Sequence, residues 1–145
     1  MGLIRVRPAV AGDEAAVADL ASELGQSFVV SRTRFEVSFR ALFAVPDACL
    51  LVADRDGEYL GYLLGFWHFT FYANGPVGWV EEIIVGQEHR GLGVGRALMT
   101  GFEQWAAGHG CALVALATRR AAPFYLALGY EESATYLRKI LPGGV

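Results

Sequence analysis

One stretch constrains this chain more than any other: Val80-Glu81-Glu82-Ile83-Ile84-Val85-Gly86-Gln87-Glu88-His89-Arg90-Gly91-Leu92-Gly93-Val94-Gly95-Arg96. It starts as a strand-like apolar run and passes through a loop, Gly86–Gly93. It then enters a segment, Val94–Ala107, with Leu98, Phe102, Trp105 and Ala106 at helical spacing. Glycines at 91, 93 and 95 let backbone N–H groups converge on one point without Cβ atoms in the way. A helix N-terminus adds about half a positive charge there. Arg90 and Arg96 flank the turn and neutralise further negative charge. The combination predicts a site for an anion the size of a pyrophosphate.

Spacing narrows the choice of anion. A dinucleotide fingerprint reads Gly-x-Gly-x-x-Gly, whereas this loop reads Gly-x-Gly-x-Gly with Arg96 in the sixth place. No acid ends the next strand to hold a ribose; Thr118 and Arg119 stand there instead. A phosphate-binding P-loop needs Gly-Lys-Ser/Thr, which is missing. Of the twelve basic residues eleven are Arg, and the single Lys, Lys139, lies near the C-terminal end. A Schiff-base mechanism would have to use that residue.

The rest of the chain supplies the frame for this loop. Leu3–Val6 reads as a first strand, ended by Pro8. Gly12-Asp13 offers an N-cap to a helix carrying Val17, Leu20, Ala21 and Leu24, which Gly25 stops. Thr33 to Ala44 forms a second helix, with Phe35, Phe39, Leu42 and Phe43 on one stripe and Arg32, Arg34 and Arg40 on its wet face. Cys49–Ala53, Tyr59–Tyr72 and Val77–Val85 read as antiparallel strands. Asp54-Arg55-Asp56-Gly57 and Ala73-Asn74-Gly75-Pro76 are the turns between them. The unbroken apolar run Cys111–Ala117 suits a central strand covered on both faces. Pro123–Leu128 is a short helix with Gly129 after it, and Tyr130–Leu141 holds the final strand. The expectation is a mixed α/β (α+β) fold in the order β-α-α-β-β-β-α-β-α-β. It has a mixed central sheet of about six strands, helices on both faces, and a single domain over residues 1–145.

Composition agrees and excludes other classes. The 145 residues are 54% hydrophobic and 19% charged, enough apolar surface to offset the entropy of ordering. A domain this size buries roughly 70% of its unfolded surface and needs no metal or disulfide staple. Cys49 and Cys111 have no metal or redox spacing and read as reduced, buried residues. His68, His89 and His109 are scattered and predict no metal site; His89 and His109 read as solvent-facing. A net charge of −3 gives little support for nucleic-acid binding. No targeting segment is visible, and the greasy stretch Tyr59–Ala73 is too short to span a bilayer. The expected location is the cytoplasm.

Two segments resemble a known family. Arg90-Gly91-Leu92-Gly93-Val94-Gly95 is similar to the Arg/Gln-x-x-Gly-x-Gly/Ala signature of the GNAT superfamily of N-acetyltransferases, whose loop cradles the pyrophosphate of coenzyme A. Ala122-Pro123-Phe124-Tyr125-Leu126-Ala127-Leu128-Gly129-Tyr130 resembles that family's Phe-Tyr-x-x-x-Gly-Phe/Tyr motif. The order of elements agrees over essentially the whole chain.

The resemblance implies an acetyl-CoA-dependent acyltransferase that moves an acetyl group directly to a primary amine of a small molecule or peptide, with no acyl-enzyme and no metal. Neither thiol nor any serine sits in a nucleophile motif, which agrees. It implies that the backbone of Ile83, Ile84 and Val85 pairs with the pantetheine arm and that the N–H groups of Gly91, Leu92, Gly93, Val94, Gly95 and Arg96 bind the pyrophosphate. Tyr125 then matches the family's Tyr near the sulfur, a donor to the leaving thiolate, and Thr118 stands where many relatives have Asn. Adjacent strand residues point to opposite faces, so only one of Glu81 and Glu82 faces a cleft unless a bulge intervenes. Spermidine/spermine acetyltransferases have an acidic pair at the same distance before the Arg-Gly loop, which favours Glu81 as general base with Glu82 in reserve. His68, beside the aromatic run Phe66–Tyr72, is a further candidate to deprotonate an amine, and that run suggests apolar walls for the acceptor. Many relatives are homodimers, and the terminal strand offers an edge for a second copy. The alternative is a regulatory module that binds coenzyme A without turnover.

Overall fold

The computed structural model describes residues 2–24 and 28–145. Five strands form one sheet in the order β1-β2-β3-β4-β5. They are β1 (Arg5–Pro8), β2 (Ala48–Arg55), β3 (Glu58–Thr70), β4 (Gly75–Val85) and β5 (Val114–Leu116). The first four pair antiparallel and β5 joins β4 in parallel. Helices α1 (Glu14–Ala21) and α2 (Arg32–Leu42) cover one face; α3 (Val94–Gly108) and α4 (Ala122–Ala127) cover the other. The α/β class and the element order hold as far as α4. The expected helix stop at Gly25 lies outside the described residues.

Each face has its own core. Val17, Leu20 and Ala21 of α1 and Phe39 of α2 pack on Val52, Tyr62 and Ile84. On the other face Val94, Leu98, Met99 and Phe102 of α3 and Tyr125 of α4 pack on Leu51, Leu60, Leu63 and Val80. Phe102 seats so closely because β3 has glycine beneath it. A Cβ at Gly65 would overlap the Phe102 ring and lie 2.9 Å from the Trp79 carbonyl oxygen. The β2–β3 hairpin turns on Asp56 and Gly57, both at positive φ (52° and 81°), so the strands run closer to the turn than the four-residue reading.

Asp13 does not cap α1 with its side chain. It is buried, and its carboxylate accepts from Arg7 Nη1 (2.8 Å) and Nη2 (2.9 Å), Tyr59 Oη (2.6 Å) and the Val10 N–H (2.8 Å). Arg7 also reaches Asp54, which Arg5 grips with two bonds of 3.0 Å. Arg32 and Arg40 do lie on the wet face of α2, paired to Asp19 and Glu14 of α1.

Two expectations at the end of the chain fail. The run Cys111–Ala117 is not a central strand: only Val114–Leu116 is extended in register, and it forms the edge of the sheet. Among the described residues Tyr130–Leu141 forms no strand, so the sheet has five strands rather than six. A three-residue edge is too short to template a long neighbour. Side-chain contacts hold this segment instead: Tyr130 Oη donates to Glu103 on α3 (2.6 Å), and Tyr136 stacks on Trp79 at 6.4 Å.

Candidate active site

The parity of residues along β4 shows how the site is built. Val80 packs under α3, yet Ile84, an even number of residues on, packs under α1 and α2. Strict alternation would put both on one face. The register accounts for the switch: Gly65 opposes Val80 and Leu64 opposes Glu82, leaving Glu81 as an extra residue. The bulge brings both acids to the α1/α2 face. Glu82 lies two residues from Ile84 and accepts from Tyr62 Oη at 2.8 Å. Glu81 accepts at 2.8 Å from Nε1 of Trp79, which points away from α3 as the neighbour of Val80. Glu81 is exposed and Glu82 half-buried.

The bulge also ends the parallel pairing. β5 accompanies β4 only from Gly78 to Val80. The pairing stops at Leu116, so the edge of β4 from Glu81 to Val85 carries no paired strand on that side among the described residues. Ile83, Ile84 and Val85, the residues expected to pair with an extended amide-bearing arm, all lie on this open edge.

At the end of the edge is the glycine loop. Gly91 and Gly93 have φ of 80° and 87°, a conformation other residues adopt only with strain. Apart from each glycine and its chain neighbours, no atom stands within 4 Å of where their Cβ atoms would be, so the backbone is open to approach. Gly93 is the N-cap of α3 and no side chain caps the helix, leaving the first-turn N–H groups of Val94, Gly95 and Arg96 without an acceptor within the helix. Val94 is buried and anchors the turn, while Leu92 is exposed. Gly95 serves packing as well: its Cβ would be 3.0 Å from Cζ of Phe124 on α4. Arg90 donates weakly to the Val85 carbonyl (3.4 Å), and its guanidinium, like that of Arg96, is exposed beside the loop. These features suit a diphosphate joined to an extended arm.

Tyr125, on α4, is buried in the α3-side cluster, edge-on to Phe124 (4.9 Å) and to Tyr130 (5.9 Å). Burial raises its pKa, so the phenol keeps its proton. Thr118 Oγ1 accepts from the Ala121 N–H (3.1 Å) and shapes the turn into α4.

Several residues are not where the sequence suggested. Phe69, Phe71 and Tyr72 are exposed at the tip of the β3–β4 hairpin, beyond the ends of β2 and β5. His68 is exposed on the same hairpin, without a hydrogen-bond partner among the described residues. His89 is not open to solvent but half-covered, 4.0 Å from Glu58. His109 is exposed, as expected, and its ring packs against Trp67 and Trp105 and donates to the Trp105 carbonyl. The aromatic surface beside the acids is instead Trp79 with Tyr136, while Tyr62 holds Glu82. Their only sequence signal was the aromatic content of the strands. A recess of about 520 Å³ between β1 and α3 touches the site only through Gly93 and Arg96. Among the described residues no group of three or more His, Cys, Asp or Glu could hold a metal, and no helix is long and apolar enough to cross a membrane.

Comparison with known proteins defines the class. The profile of the acetyltransferase (GNAT) family matches residues 16–130, and the chain belongs to that family. Acetyl-CoA-dependent acetyl transfer is the general activity this membership supports. Among solved structures it is similar to glucosamine-6-phosphate N-acetyltransferase from Arabidopsis thaliana (19% identity, 94% of this chain and 97% of that one, TM-score 0.82). It is also similar to an integron cassette protein from the mobile metagenome of Cole Harbour Salt Marsh (27%, 94% and 89%, 0.83). A third similar structure is the aminoglycoside N-acetyltransferase AAC(6')-Iy in complex with coenzyme A (20%, 96% and 96%, 0.83). No curated protein sequence matches.

Proposed function

We propose that residues 1–145 act as a single N-acetyltransferase domain that moves an acetyl group from acetyl-CoA directly to a primary amine carrying positive charge. The bulge at Glu81 carries this reading, because it opens the β4 edge on one side and aims two carboxylates from the opposite face. Bound acetyl-CoA would supply an activated thioester. The chain's own groups do the rest. The amides from Gly91 to Arg96, with Arg90 and Arg96, hold the diphosphate. The backbone of Ile83, Ile84 and Val85 aligns the arm, and Thr118 shapes the entry to α4. Fixing both reactants removes much of the entropy cost of their encounter.

A free alkylamine has a pKa of about 10 and is protonated at neutral pH. Glu81 and Glu82 attract that cation, and one of them accepts its proton. Tyr125 Oη, kept protonated by burial, donates where a thiolate would leave. Trp79 and Tyr136 offer the acceptor an aromatic surface. Polyamines, for which the acid pair is the sequence argument, and amino sugars, the substrates that two structural neighbours are named for, are the first acceptors to try.

Thiol release from acetyl-CoA, followed with spermidine, tyramine, glucosamine 6-phosphate, neamine and a peptide N-terminus, tests the reading. Turnover with at least one amine is expected, falling about 100-fold in Tyr125→Phe, the scale of general acid catalysis. Tight coenzyme A binding without turnover of any amine would favour a regulatory module instead.

A further inference from the structure

We infer that Tyr62 is a positioning residue that holds the Glu82 carboxylate in its working orientation, which makes Glu82 rather than Glu81 the base; this rests on the acetyltransferase reading above. Tyr62 sits in the middle of β3 with 2% of its surface exposed, among Val17, Leu20, Phe39 and Val52. Its register partner is Ile84, so Glu82 is its diagonal neighbour on the same face, within reach of a long side chain. The ring fills an apolar space that phenylalanine would fill equally well. Its hydroxyl alone needs a polar partner, and it finds Glu82 Oε1.

The bond fixes one carboxylate oxygen and leaves Oε2 with its lone pairs for an amine. Because Tyr62 is buried and faces the charge of Glu82, its ionisation is pushed far up and it remains a donor at every working pH. Glu81 has no such support: its partner is an indole two residues away on the same strand, and its carboxylate is exposed. Only the bulge makes the Tyr62–Glu82 bond reachable, since without it Glu82 would point to the α3 face.

The test is a set of double-mutant cycles on kcat, using acetyl-CoA and whichever of the five amine probes the wild type turns over. Coenzyme A affinity measured by calorimetry reports the integrity of each variant. Tyr62→Phe should lower kcat about tenfold and leave KM for acetyl-CoA within about twofold. That loss should vanish in the Glu82→Gln background and persist in the Glu81→Gln background, a non-additivity that general loosening of the core would not produce. Glu82→Gln should itself cost about 100-fold in kcat, whereas Glu81→Gln should act mainly on KM for the amine. Full activity in Tyr62→Phe, additive losses with Glu82→Gln, or a larger kcat loss in Glu81→Gln would each overturn the inference while the wild type remains active. A wild type that binds coenzyme A and turns over none of the amines would overturn the acetyltransferase reading, and this role with it.

Discussion

Asp13→Asn probes the buried charge network that ties the first strand to the sheet. Asp13 has 3% of its side chain exposed and Arg7 24%, and four hydrogen bonds converge on the carboxylate. The hydrogen bonds from Arg7 hold its pKa well below the usual carboxylate range. Those from Tyr59 and the Val10 N–H add to this, against an upward push from burial. Asparagine keeps the shape but turns one acceptor into a donor and leaves Arg7 facing it. Removing one partner of a buried pair costs about 3–5 kcal/mol, and the low end applies because Arg7 retains Asp54. At about 3 kcal/mol the melting temperature should fall by roughly 6–12 °C at pH 7. The sign with pH follows from the depressed pKa. The unfolded state takes up the proton first, so the contribution is complete above about pH 5. It is lost as pH falls through about 4 towards the folded value. The gap between wild type and variant should therefore narrow by about 1 kcal/mol by pH 3. Calorimetric melts at pH 7, 5, 4 and 3 measure it. A gap that does not change with pH, or a variant that melts with the wild type at pH 7, would refute the reasoning.

Two further outcomes follow from packing. Gly65→Ala places a methyl on the Phe102 ring and should destabilise by about 1–3 kcal/mol, with partial rescue by Phe102→Leu in the same chain; equal melting of Gly65→Ala and wild type would contradict the packing. Burial pushes the Cys49 thiol up to about 12 and also raises that of Cys111, but Cys111 is partly exposed while Cys49 is buried. A chromogenic disulfide reagent at pH 8 should thus titrate one thiol in the native protein and two after denaturation, and Cys111→Ser should abolish the native reaction.

The frame was legible because its signals are local. Asp56-Gly57 sets a hairpin, the alternate glycines set the turn into α3, and the aliphatic and aromatic spacing of α3 sets its buried face. What was not legible depends on both faces at once. Trp79-Val80-Glu81-Glu82-Ile83-Ile84 contains no feature that places a bulge. The switch follows from Phe102 claiming Gly65 and Val80 on one side while Tyr62 and Ile84 pack on the other. Cys111–Ala117 looks central because it is apolar, yet Val114 and Leu116 pack only against the α3-side cluster and the strand pairs with β4 alone, at the edge. The aromatic run of β3 signals burial by composition, but a 13-residue strand paired to an 8-residue neighbour carries Phe69 past the end of β2, and Phe71 and Tyr72 fall in the turn beyond the strand. In the candidate site the loop and Tyr125 came from motifs. Tyr62, Trp79 and Tyr136 became visible only once the strands were in register.

The central claim is that the amides from Gly91 to Arg96 grip a diphosphate whose attached arm lies along the open edge of β4. A crystal structure with coenzyme A bound tests it most directly. The account predicts diphosphate oxygens within about 3 Å of those N–H groups and the sulfur beside Tyr125 Oη. A ligand seated in the recess between β1 and α3 instead, or a sulfur remote from the phenol, would contradict it.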